Sequence, residues 1–232
     1  MKIGLLMMLV LLSATPRPVL RAGDAADDPG VSAGSLPAIL ATEAWRMTED
    51  FPQTRYRHQT LIDPERGICE VDCSGFVVAI LRQKSPAHLE SIKTKHKRPL
   101  AEDFYAAFAP KDGNPARGWR RIDRLADAKA GDVLAWVKQD QSPGDNTGHV
   151  VLIAQKPLAE SPQRYRVRVF DSTLHGHASD ERTRDERSGI GEGTFWVEVN
   201  SEGRPIGYRW KSRTGIVHLA PIAVGRAVPI SP

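Results

Sequence analysis

The apolar residues of this chain change their spacing once, near Trp119, and that change limits the fold more than any other feature. Before it, Ile39, Leu40, Ala44 and Met47 recur at helical spacing and predict a helix from residue 36 to about 49. Phe76, Val77, Ile80 and Leu81 predict a second over 74–83, starting just after Cys73. Pro99 at a first-turn position, followed by Ala101–Phe108, predicts a third. After Trp119 come short β-like runs at 132–137, 149–155, 165–171, 194–199 and 206–210, separated by Pro, Gly, Asn and Asp. The last two read as a hairpin turning through Ser201-Glu202-Gly203, and a final strand over 215–220 precedes a tail along the surface. Residues 51–68 read as irregular or as a short hairpin broken at Asp63-Pro64, and 175–193 as a long polar loop. Helices first and an antiparallel sheet second is an α+β order.

The first 22 residues stand outside that pattern. Lys2 followed by the apolar run from Ile3 to Leu12 has the form of a signal peptide, too short to span a bilayer, which needs about 20 apolar residues. The expectation is export to the periplasm or medium, with no stable membrane span once the signal is removed. Residues 23–37 then form a flexible leader and 38–228 one domain, a size that supports a single core. Export changes the charge argument. Removing residues 1–22 takes Lys2, Arg17 and Arg21 from the 32 basic groups and none of the 28 acids, leaving 29 against 28. A near-neutral chain without a basic face gives no support to nucleic-acid binding. The densest basic cluster, Lys93, Lys95, Lys97 and Arg98, reads as a solvated turn.

Chemistry concentrates in Val71-Asp72-Cys73-Ser74-Gly75-Phe76. A cysteine opening a helix meets the positive end of the dipole and unpaired backbone N–H groups, which favour thiolate over thiol. Ser74 and Gly75 are small and leave room beside the sulfur, and the Cys73 N–H is placed to help bind an oxyanion. Two other readings stay open. Cys73 can be a small buried hydrophobe, or it can pair with Cys69, the one other thiol, in an oxidising compartment. A zinc site lacks the further ligands that a C-x3-C pair requires.

A thiol nucleophile needs a base. His149, within Gly148-His149-Val150, opens a strongly apolar strand where an imidazole requires a reason. His58, His88 and His96 sit in polar or turn-like surroundings, His218 reads as structural, and His175 and His177 as surface residues of the loop. If 149–155 and 165–171 form a symmetric antiparallel hairpin, Ile153 faces Val167, Val151 faces Val169 and His149 faces Asp171. Alternation then sends Arg166 and Arg168 to the other face and leaves one acid beside the imidazole, where it would hold the ring. The alternative is an Asp that caps the strand end.

Asp72-Cys73-Ser74-Gly75-Phe76, Gly131-Asp132-Val133 and Gly148-His149-Val150, in this order, resemble the NlpC/P60 family of papain-like cysteine peptidases over roughly residues 41–175. The resemblance implies a papain-like fold, with N-terminal helices packed on an antiparallel sheet. It implies Cys73 as nucleophile, His149 as base and Asp171 in the orienting position, with neither metal nor cofactor. It also implies Tyr56 near the oxyanion site and a cell-wall peptide, such as a peptidoglycan stem, as substrate. Ser74, beside the sulfur, is a candidate substrate contact. Three departures accompany the likeness: Arg57-His58-Gln59 stands where the family has a Gly-Gly pair, an Asp orients the base where His, Asn or Gln is usual, and residues beyond Gly176 have no counterpart. Three rivals remain: an amidase or acyltransferase acting on another envelope molecule, an inactive envelope-binding module, and a redox or disulfide-stabilised binding protein in which Cys69 and Cys73 are oxidised together.

Overall fold

The computed structural model describes residues 34–138 and 147–230. The segments expected to be a signal peptide and, up to residue 33, a leader lie outside the described residues. In chain order the elements are α1 (Leu36–Asp50), β1 (Gln53–Tyr56), β2 (Leu61–Asp63), β3 (Ile68–Val71), α2 (Cys73–Lys84), α3 (Pro86–Glu90), α4 (Ala101–Phe108), β4 (Trp119–Arg121), β5 (Val133–Val137), β6 (Gly148–Ile153), β7 (Leu158–Ser161), β8 (Arg164–Thr173), α5 (Glu181–Arg184), β9 (Gly189–Val199), β10 (Pro205–Arg209), β11 (His218–Leu219) and β12 (Ile222–Ala227). The fold is α+β. No helix among the described residues is long and apolar enough to cross a membrane.

The strands form one antiparallel sheet in the order β11-β10-β9-β8-β6-β5-β12-β4, with β7 added on β8. A small second sheet pairs β3 with β1 in parallel and with β2 antiparallel, where the sequence suggested irregular chain or one hairpin. The large sheet is apolar on both faces, which is why β6 reads as an unbroken hydrophobic run. Val150 and Leu152 of β6 point to the helices, meeting Leu40 and Met47 of α1, Phe76 and Ile80 of α2, and Phe104 and Phe108 of α4. Val151 and Ile153 point the other way, to a second core with Leu134, Trp136, Val167, Val169, Phe195 and Val197. That core is enclosed because the sheet curls on itself. Tyr208 of β10 and Trp136 of β5, four strands apart in pairing order, bring their rings to 4.6 Å.

α1 begins at Leu36 and buries Pro37, so the leader's expected last two residues belong to the helix. Pro37 packs on Gly131, where φ is +82° and a Cβ would stand 1.8 Å from the Pro37 carbonyl oxygen. No other residue type fits that position, which explains the glycine of the Gly131-Asp132-Val133 segment.

The end of the chain departs most from expectation. The predicted strand over 215–220 is reduced to two exposed residues, and the predicted surface tail is β12, buried throughout between β5 and β4. Pro221 and Arg226 masked it, because a charge in a strand reads as solvent-facing. Arg226 is instead bidentate to Asp132, with both N···O distances 2.7 Å, and donates to the Asp127 carbonyl. Burial pushes the Asp132 carboxyl pKa up, and the Arg226 guanidinium and the Lys129 N–H work against that rise. An Arg226→Met variant strands a buried carboxylate, and removing one partner of such a pair costs about 3–5 kcal/mol. Urea unfolding should show that loss; a change under about 1 kcal/mol would mean that the pair is effectively solvated.

Candidate active site

β3 delivers the chain to Asp72, the N-cap of α2. Its Oδ1 accepts from the Gly75 N–H at 2.7 Å and the Ser74 hydroxyl at 3.1 Å. Such caps are worth about 1 kcal/mol. Arg98 clamps the same cap, donating to Asp72 Oδ2 and to Ser74 Oγ, both at 2.6 Å. Ser172 of β8 donates to the Val71 carbonyl at 2.6 Å and ties the end of β3 to the sheet. Cys73 is therefore held at the first turn of α2, 4% exposed, with its N–H left unbonded within the helix by helical geometry.

Two expectations change here. Ser74 is buried and its hydroxyl is engaged in the cap, so it faces no substrate. Arg98 is no solvated charge, since it braces the helix that carries the cysteine; Lys93, Lys95 and Lys97 remain exposed.

His149 enters from β6. The preceding Gly148 has φ +148°, and a Cβ there would lie 1.9 Å from the Trp136 carbonyl oxygen, so only glycine lets β6 approach β5 at this point. The imidazole Nε2 lies 2.6 Å from Asp171 Oδ2, which leaves Nδ1 for the side of Cys73, a neighbour close enough to act on the ring's charge. The structure thus brings Cys73, His149 and Asp171 together. Burial opposes charge on the ring, but the Cys73 charge and the hydrogen bond that the ring donates to Asp171 outweigh it. The His149 pKa is pushed up to about 10.

The β6–β8 register is not the symmetric one. Ile153 pairs with Val169 rather than Val167, a shift of two residues. The supposed connection contains β7, which takes up the start of β8 (Leu158 opposite Arg166) and so moves β6 further along. An even shift keeps every side chain on its face. His149 consequently reaches Asp171 obliquely along the sheet.

Asp171 is fully buried and also meets His177 Nε2 at 2.9 Å and Arg182 at 2.8 Å. Burial alone would raise its pKa; the pull of His177 and Arg182, with the hydrogen bonds from both histidines, holds it well below the usual carboxylate range. Sequence reasoning missed both partners. The segment 175–193 is no long loop: β8 and β9 pair along their full lengths, from Arg164–Glu198 to Thr173–Gly189, and a short crossing with α5 joins them. His177, expected at the surface, is fully buried. His88, expected in polar surroundings, is buried between Ser85 and the Val228 carbonyl. One signal for Arg182 was available: Asp180-x-Arg182 after Gly176 has the form of a helix cap.

Beside His149 opens a cleft of about 420 Å³ whose walls include Tyr56, Trp136, Leu174, His175, Tyr208 and Trp210. Tyr56, at the end of β1, has its hydroxyl pKa raised by burial and by the negative charges of Cys73, Asp72 and Asp171. A larger hollow of about 630 Å³, beside Asp103 and Arg117, offers neither cysteine nor histidine. Cys69 lies fully buried on β3 and unpaired, with burial pushing its pKa up to about 12; it is a core residue, and Cys73 is likewise a free thiol.

His149, Asp171 and His177 present donor atoms within 4.8 Å of one another, a spacing compatible with a metal ion. Yet both ring nitrogens already contact the carboxylate directly, and the Arg182 cation occupies its other oxygen. An ion would have to break both bonds and sit beside a buried guanidinium, so the trio fits a hydrogen-bonded network better than a metal centre.

Comparison with protein-family models, with curated proteins and with solved structures finds no match for this chain.

Proposed function

We propose that this protein is a papain-like cysteine hydrolase of the NlpC/P60 type that acts outside the cytoplasm on amide bonds of cell-wall peptides. One observation carries the reading: a cysteine at a helix N-terminus, an imidazole beside it whose pKa its charge raises, and a buried carboxylate on the far ring nitrogen. The Cys73 sulfur attacks the amide carbonyl carbon and forms a C–S bond. The oxyanion is held by the Cys73 N–H, with Tyr56 at the cleft wall. Imidazolium His149 gives its proton to the leaving nitrogen as the C–N bond breaks, leaving a thioester. Neutral His149 then takes a proton from water, hydroxide adds to the thioester, and C–S cleavage releases the acid and restores the pair.

Substrate choice rests on the likeness of the Asp72-Cys73-Ser74-Gly75 and Gly148-His149-Val150 segments to that family. Purified protein incubated with peptidoglycan stem peptides should release fragments that mass spectrometry assigns to one amide bond, with a transient mass increase on Cys73. Added amine should divert the products if acyl transfer competes with hydrolysis. Intact peptides together with an unmodified Cys73 would contradict the proposal.

A further inference from the structure

The crossing between β8 and β9 is more built than a connection needs to be. Asp180 caps α5 through the Arg182 N–H at 2.8 Å and accepts the His177 N–H at 2.8 Å. The Thr183 hydroxyl donates to the His177 carbonyl at 2.8 Å, and Ala178 bridges Thr194. Arg182, 3% exposed, donates to the carboxylates of Asp171 and Asp180 and to the Asp171 and Gly189 carbonyls. The His177 ring stacks on Phe195 at 5.5 Å and lies 4.0 Å from Trp210. Its Nδ1 has no partner among the described residues, so Asp171 is the sole polar contact of the ring. A phenyl ring would fill the same slot without leaving a buried polar atom unpaired, an arrangement that costs about 1–3 kcal/mol. Packing therefore does not account for a histidine here.

We infer that His177 is a positioning residue for the Cys73–His149 pair: with Arg182 on Oδ1, it fixes Asp171 Oδ2 against His149 so that the ring's other nitrogen faces the sulfur. The inference rests on the hydrolase reading above. The charged and titratable groups around Asp171 are His149 from β6, Arg182 from α5, and His177 and Asp180 from the crossing. Beyond His149 stand Cys73 of α2 and Tyr56 of β1, and behind them Asp72 and Arg98. Of these, His177 alone shares the oxygen used by His149.

The test is the rate of Cys73 alkylation by iodoacetamide in the intact folded chain, followed by peptide mass spectrometry from pH 5 to 9. His177→Phe should keep the fold but slow the alkylation about tenfold at neutral pH and alter the shape of the pH profile, the loss expected when about 1.4 kcal/mol of support for the charged pair is removed. His177→Gln, whose amide N–H can replace Nε2–H, should restore most of the rate. A wild-type profile in His177→Phe overturns the inference. Should that variant fail to fold, nitrogen-15 NMR of the unaltered chain decides: a slowly exchanging His177 Nε2–H supports it, and a bare Nε2 overturns it. Failure of the hydrolase reading looks different, because wild-type Cys73 would then react no faster than buried Cys69.

Discussion

Replacing Cys73 with Ala should lower amide hydrolysis by at least about a thousandfold and leave the fold in place. The sulfur forms the covalent bond of the proposed reaction, and no second thiol can substitute, since Cys69 is fully buried on β3 and held as thiol by burial. The fold should tolerate the change because the α2 cap belongs to Asp72, Ser74, Gly75 and Arg98 rather than to the sulfur. Unfolding midpoint and hydrolysis rate measured on one preparation separate the two effects. Activity within tenfold of wild type, with unchanged stability, would remove the cysteine from the chemistry.

The second large effect is expected at Asp171. Asp171→Asn keeps the shape and an acceptor oxygen but loses the charge that favours imidazolium. Its amide can also turn an N–H toward His149 and select the wrong tautomer. A drop in kcat of about a thousandfold or more follows from such a change, with KM nearly unaltered because Asp171 is buried behind His149. Arg182 retains Asp180, at 3.0 Å and 2.8 Å, so the guanidinium is not stranded and the variant should fold. A loss below tenfold would return Asp171 to the role of a strand-end residue.

What could be read from the chain follows what depends on local pattern. Cys73 stood out because a cap-forming Asp72 and a helical apolar run meet at it. Asp171 could be paired with His149 from alternation alone, because a two-residue register error leaves the faces unchanged. Arg226 and Arg182 could not be read in this way. Each is a buried charge whose partner is fixed by tertiary structure: Asp132 lies 94 residues away from Arg226, and Asp171 meets Arg182 only because the chain reverses between them. From sequence, both read as solvated. Arg98 was hidden by the lysines around it, and His177 by the polar residues of its crossing. The large sheet's curl, which brings Trp136 and Tyr208 together over the cleft, depends on pairings that no single segment records.

The account stands on a proton that resides on His149 while Cys73 is charged. A nitrogen-15 NMR titration of the histidines in the intact protein tests this directly. His149 should carry both ring protons through neutral pH and lose one only near pH 10. In Cys73→Ser, without the thiolate charge, the loss should occur at lower pH. An imidazole that titrates near the ordinary value of about 6.5 in the wild-type chain, unaffected by the serine variant, would contradict the thiolate–imidazolium pair.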